Sequence, residues 1–288
     1  MPSETSSDKT LNSTVDGAWT AADPLSIAFR LVRATGEWQR LAGPLAALEV
    51  RDLGLAAASN GQLGAWQVRV AAPATVELDW HMHDLDFSFL YVLEGSIEIE
   101  HEAADRVTLA RTDVGMIPAL LRHRVVMSRD FEALVVIAPG DFQRLAISEG
   151  SDPLARSLGW WPGPPRYLRG GEEAFERRGL RSFFSYRDLG TVEPTAGRLG
   201  VNILRAVEAS ASAEGTGWHY HSMGQLVVVL SGTAEVSIGG HGTVVTGAYD
   251  SMCVGAGVVH NVYSFSEDYE LIEFCVPATY DTVAVQPL

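Results

Sequence analysis

The chain has 288 residues, 47% of them apolar, and a formal net charge of −15, which is enough length for two domains of ordinary size. A surface this acidic argues against non-specific nucleic-acid binding, which needs basic charge. The sequence holds no run of about 18 apolar residues, so no membrane span is expected.

Taken in chain order, residues 1–24 are small and polar, without a basic start followed by an apolar stretch. They are expected to form a flexible tail rather than a secretory signal. Lys9 is the sole lysine among 21 basic residues, a skew that, with the richness in Ala and Gly, suggests a GC-rich bacterial genome and says nothing of mechanism. Cys253 and Cys275 lie in apolar strand-like runs and read as two buried free thiols in a reducing, cytoplasmic setting.

The rest of the chain is duplicated. Arg51-Asp52-Leu53-Gly54 recurs as Arg187-Asp188-Leu189-Gly190, 136 residues later. Trp80, His81 and His83 recur as Trp218, His219 and His221 at an offset of 138, Gly95 and His123 as Gly232 and His260 at 137, and Pro139 as Pro277 at 138. Matches in one order with so little drift define a repeat, and a repeat sets the architecture. The expected boundaries are a first barrel over 25–149, a linker over 150–181 and a second barrel over 182–288. Residues 90–100 and 226–238 alternate apolar and polar as half-buried strands do, and 125–137 and 262–276 supply further strands. Many short strands between Gly and Pro turns predict an all-β fold of two tandem barrels, jelly-roll-like rather than a parallel sheet. Prolines extend the linker, and its Trp160 and Trp161 are expected to pack on a barrel. Each Arg-Asp-Leu-Gly tetrapeptide is expected to lock a turn through a local ion pair.

Six of the eight histidines fall at equivalent places in the two copies. In the second, His219 and His221 lie two apart on a strand and so face the same way. Gln225 can rejoin that face after a short bend, and His260 can meet them from a later strand. Three imidazoles and an amide oxygen suit a divalent transition metal with positions left for water or substrate. The alternative, histidines merely filling the interior, would require other hydrogen-bond partners for each of them. In the first copy His81, His83 and His123 repeat the triad. The bend there is one residue longer and Ser88 takes the fourth position, so this site is the weaker one, and Asp86 is a substitute ligand the reading does not favour. Arg122 and Arg124 should face away from His123. His101 and His241, in turns, are expected to be solvated. Met223 and Met252 are expected in the core.

The stretch from Gly217 to Gly232, with its His-x-His, then Gln225 where a Glu is usual, then a glycine seven residues on, resembles the first motif of the cupin superfamily. The stretch from Tyr249 to His260 resembles the second, with Gly255 where proline is common. With the first copy included, the chain resembles a bicupin. The resemblance implies barrels of the double-stranded β-helix type and metal held by His219, His221, Gln225 and His260, with His81, His83 and His123 as a second site. The metal could be Fe, Mn, Ni, Cu or Zn. It also implies a small-molecule substrate and pairing into a homodimer, unless the fused barrels satisfy each other. The leading expectation for activity is a metal-dependent dioxygenase acting on a small anionic or enolic molecule. The alternatives are a redox-neutral lyase, isomerase or decarboxylase, or a non-enzymatic binding protein.

Overall fold

The structure is a computed structural model that describes residues 25–102, 104–145, 163–176, 182–210 and 214–286. The N-terminal tail and both linker tryptophans lie outside the described residues. The architecture is the expected one: among the described residues regular structure is almost all strand, arranged as two barrels of two facing antiparallel sheets each. Among the described residues no helix is long and apolar enough to cross a membrane.

In the first barrel a small sheet holds Val76–His81, His123–Met127, Ser96–His101 and Ala104–Ala110. A larger sheet, whose central strands include Phe87–Glu94, Glu132–Ala138 and Gly64–Val70, faces it. The second barrel repeats this with His219–His221, His260–Phe265 and Thr233–Ile238 in one sheet, and Gly224–Ser231 and Glu270–Val276 in the other. Apolar inward side chains fill each interior, around Val68, Ile99 and Phe131 in the first and around Val236, Phe265 and Leu271 in the second.

Gly95 and Gly232 mark where the chain leaves one sheet for the other. Both have positive φ, +65° and +70°, where a side chain is strained. A Cβ would sit 2.4 Å from the Ser128 hydroxyl in the first case and 2.7 Å from Tyr269 backbone in the second. The crossing is therefore restricted to glycine by conformation and by space.

A third apolar cluster lies between the barrels and takes residues from both, including Phe87, Phe89 and Met116 from one and Val201, Ile272 and Phe274 from the other. Phe89 and Phe274 meet edge to face with centroids 5.4 Å apart, a favoured aromatic geometry. The large sheets are thus buried on both faces, one toward the barrel interior and one toward the sister barrel.

Strand pairing crosses the expected boundaries. Arg30–Val32 pairs with Ser251–Val254 of the second barrel, and Arg166–Leu168, inside the expected linker, pairs with Val114–Pro118 of the first. Each repeat lends its leading strand to its sister. Matching side-chain ties secure both exchanges. Asp250 accepts from Arg33 and from the backbone N–H of Ala34 at 2.8 Å each. Asp113 accepts from Arg169 and from the N–H of Gly170 at 2.7 Å each.

The Arg-Asp-Leu-Gly tetrapeptides need a correction. They hold no local ion pair. Asp52 and Asp188 accept from the backbone N–H of Gly54 and Gly190 at 2.8 Å, which closes each turn. The arginines are buried and reach into the sister barrel. Arg187 donates to the Thr112 carbonyl at 2.9 Å and Arg51 to the Tyr249 carbonyl at 3.4 Å. An aspartate that satisfies its own turn leaves the guanidinium available for non-local carbonyls.

Candidate metal centres

The six repeated histidines gather into two triads, and within each triad the nitrogen donor atoms lie within 4.8 Å of one another. All six are buried. In the second barrel the small sheet supplies all three. His219 sits opposite His260 in the ladder, His221 is two residues along, and ring centroids are 4.4, 5.0 and 5.2 Å apart. Gln225 projects from the facing sheet into the same cavity, of about 120 Å³. The first barrel repeats the arrangement, with His81 opposite His123 and centroids 4.4 to 5.4 Å apart.

Hydrogen bonds set the ring orientations. His219 and His260 donate from Nδ1 to the carbonyls of Gly217 and Val258 at 2.6 and 2.9 Å. His81 and His123 do the same to Asp79 and Leu121 at 2.7 and 2.8 Å. A carbonyl only accepts, so Nδ1 carries the proton and Nε2 keeps its lone pair, the state a metal requires. His221 differs from its counterpart. Its Nδ1 lies 2.8 Å from the hydroxyl of Thr282, on a C-terminal strand that pairs with His219–His221. In the first barrel His83 Nδ1 is buried without a partner.

Both sets fit a metal. Gln225 Oε1 and His123 Nε2 are buried polar atoms with no hydrogen-bond partner, an arrangement proteins avoid unless something else satisfies them. Burial holds the rings neutral: it lowers the pKa of His260 to about 4 and that of His123 to about 3, with a neighbouring histidine adding to each effect. His81 is lowered and His83 lowered well below its usual value for the same reason. Neutral imidazoles are ready to bind without first losing a proton.

The fourth positions match the expected register. Ser88 pairs with Ile117 and Ile137, as Gln225 pairs with Val254 and Cys275. Ser88 donates its hydroxyl proton to the Ile117 carbonyl at 3.0 Å, whereas the Gln225 oxygen is unspent. Asp86 does not line the first cavity. Arg122 and Arg124 do point away from the triad, onto the Trp80 ring at 5.0 and 5.5 Å. Met223 is buried, and Met252 lines the second cavity as well as packing in the core.

One histidine expectation fails. His241 is exposed and stacks on Phe29, but His101 is buried and bonds through Nε2 to the Tyr167 hydroxyl. Tyr167 arrives on the exchanged strand Arg166–Leu168, which is why a turn-like histidine ends up covered.

The second cavity also holds groups that motif reasoning passed over. Glu273 lines it from the large sheet, on the strand facing the triad. Burial raises the Glu273 carboxyl to about 7, opposed by a hydrogen bond from the Cys275 thiol. Tyr280 bonds to the Cys275 sulfur in turn and stands edge-on to His221 at 5.3 Å. A signal existed in the sequence: at the offset of 138 that aligns Pro139 with Pro277, Glu273 corresponds to Val135 and Tyr280 to Phe142. Both cysteines are free and buried.

Two barrels, each with a histidine triad inside, thus pack back to back, the architecture the resemblance implies. The comparisons agree. Residues 207–276 match the family model of the cupin domain. Oxalate decarboxylase of Bacillus subtilis has the same fold at 14% identity, over 91% of this chain and 80% of that one, with a TM-score of 0.60. The protein Ylba of E. coli is 13% identical over 91% of this chain and 94% of its own, with a TM-score of 0.62. No curated protein matches the chain in sequence. The cupin-domain match thus falls on the second barrel, and the chain as a whole shares the two-barrel fold of these structures.

Proposed function

We propose that the second barrel is the active centre of a metal-dependent, redox-neutral enzyme, a lyase or isomerase that moves a proton on a small oxygen-bearing substrate. The observation that carries this reading is Glu273, a half-buried carboxyl in the wall of the cavity that holds the triad. His219, His221, His260 and Gln225 would hold a divalent ion, which as a Lewis acid would polarise a substrate oxygen. A carboxyl raised to about 7 is matched to proton transfer near neutral pH. Glu273 takes the proton from substrate, or returns it. Cys275 and Tyr280 hold that carboxyl in place through the hydrogen-bonded chain behind it. Thr216 and Tyr186 add hydroxyl groups to the wall. Oxalate decarboxylase, which shares this fold and whose Mn(II) centres are named in one of its reported structures, makes manganese the first metal to try.

The test is turnover without oxygen. Protein loaded with Mn²⁺ or Zn²⁺ is incubated anaerobically with a panel of small hydroxy-, 2-oxo- and 3-oxocarboxylates, and products are followed by NMR and CO₂ release. Turnover should occur under nitrogen, vanish in His260→Ala, and fall at least a hundredfold in Glu273→Gln with metal content retained. Substrate loss that requires oxygen in a fixed ratio would replace this reading with the dioxygenase. Full activity in Glu273→Gln would remove the carboxyl from the mechanism.

A further inference from the structure

We infer that the first barrel is a second and chemically different binding site, built for a small carboxylate with a hydrocarbon body, so that one chain binds two kinds of molecule. The two cavities are nearly equal in size, about 110 and 120 Å³, and occupy the same place in their barrels. Their walls differ position by position. Where the second has Thr216, Gln225, Glu273 and Tyr280, the first has Leu78, Ser88, Val135 and Phe142. These are register equivalents: Val135 lies opposite Leu90 as Glu273 lies opposite Val227. Ser88, the polar exception, has spent its proton on a backbone carbonyl.

What remains polar in the first cavity is the triad, and two of its nitrogens, His83 Nδ1 and His123 Nε2, are buried and unpartnered. Held by three neutral imidazoles, a divalent ion keeps its full charge, and no carboxylate lines the cavity to offset it. The first group to approach should therefore be an anion. Everything beyond that head meets Ile97, Ile117, Val125 and Phe131, where a polar body would lose its hydration without replacement. For scale, an apolar cavity of about 150 Å³ accepts benzene, so about 110 Å³, shared with the ion and the carboxylate head, limits the body to about four carbon atoms at most. Each buried methylene strengthens binding about fourfold.

The probes are 3-methylbutanoate, acetate (same head, no body) and malonate (similar size, polar body), titrated by calorimetry into Mn²⁺-loaded full-length protein. Wild type should bind two metal ions and His260→Ala one, leaving the first barrel as the sole centre. In His260→Ala, 3-methylbutanoate should bind one per chain, at least tenfold more tightly than acetate or malonate. His123→Ala in that background should abolish this binding. Val135→Thr, which keeps the shape, should weaken 3-methylbutanoate more than acetate. No metal in His260→Ala would overturn the inference, as would equal affinity for the three anions or a preference for malonate. Failure of the second-barrel reading would show elsewhere, in His123→Ala alone, where the second centre would carry no metal.

Discussion

Replacing Glu273 by glutamine keeps the shape of the side chain and removes its ionisation, so the variant isolates what that charge costs the fold. The carboxyl has an ordinary pKa of 4.5 and is raised to about 7 in the folded protein. Between those values the unfolded chain has released its proton while the folded one still holds it. The contribution of Glu273 to stability is therefore complete below about pH 4.5 and is lost as pH rises through about 7. A difference of about 2.5 units at 1.36 kcal/mol each gives about 3 kcal/mol for a dry site. The side chain keeps part of its surface open to the cavity, and water there would screen the charge, so about 1–3 kcal/mol is the working range. In chelator-treated protein, urea midpoints should coincide for Glu273→Gln and wild type near pH 4.5. The variant should then be the more stable by this amount at pH 8, a gain of several degrees in melting temperature. A gap that does not change with pH, or a wild type more stable than the variant at pH 8, would refute the desolvated-carboxyl argument.

Thr282→Val removes the hydroxyl partner of His221 Nδ1 and should weaken metal binding at the second centre about 10- to 100-fold, while Thr282→Ser retains it; chelator competition measures both, with the first centre as internal control. His123 and His260 act on pH in the opposite sense to Glu273. Their folded pKa values, about 3 and about 4, lie below the usual 6.5. The stability they contribute is present above about pH 6.5 and is lost as pH falls toward 4, so metal-free Glu273→Gln protein should show a urea midpoint that declines from pH 7 to pH 5. Phe274→Ala opens a cavity between the barrels and should cost about 3–5 kcal/mol, with fluorescence and circular dichroism reporting loss of both barrels in one transition.

The duplication, the two triads and the contrast between Gln225 and Ser88 were legible in the residues because each depends on local order. Two histidines two apart share a strand face, and a motif glycine sits where positive φ is needed. The proton-transfer group was not legible. In Glu270–Val276 the outward residues Ile272 and Phe274 are apolar because the sister barrel covers them, and the inward Glu273 is polar because a cavity lies there. Alternation is present, but its sense is inverted relative to a sheet with one wet face. The buried state of His101 was hidden for a related reason, since the cover comes from Tyr167 on a strand exchanged from the other repeat.

The sequence by itself determined that this protein is two copies of one β-barrel module, each carrying three histidines able to converge, since repeat spacing and period-two patterning are properties of the chain read along its length. Only the tertiary structure decided that the copies trade their leading strands, that arginines reading as local partners of aspartate tie one barrel to the other, and that one cavity is lined by a carboxyl while its twin is lined by hydrocarbon. Those facts depend on which distant strands lie side by side. Pairing across more than a hundred residues is chosen by the burial of whole faces, Phe89 against Phe274 among them, and no short stretch of sequence carries that choice.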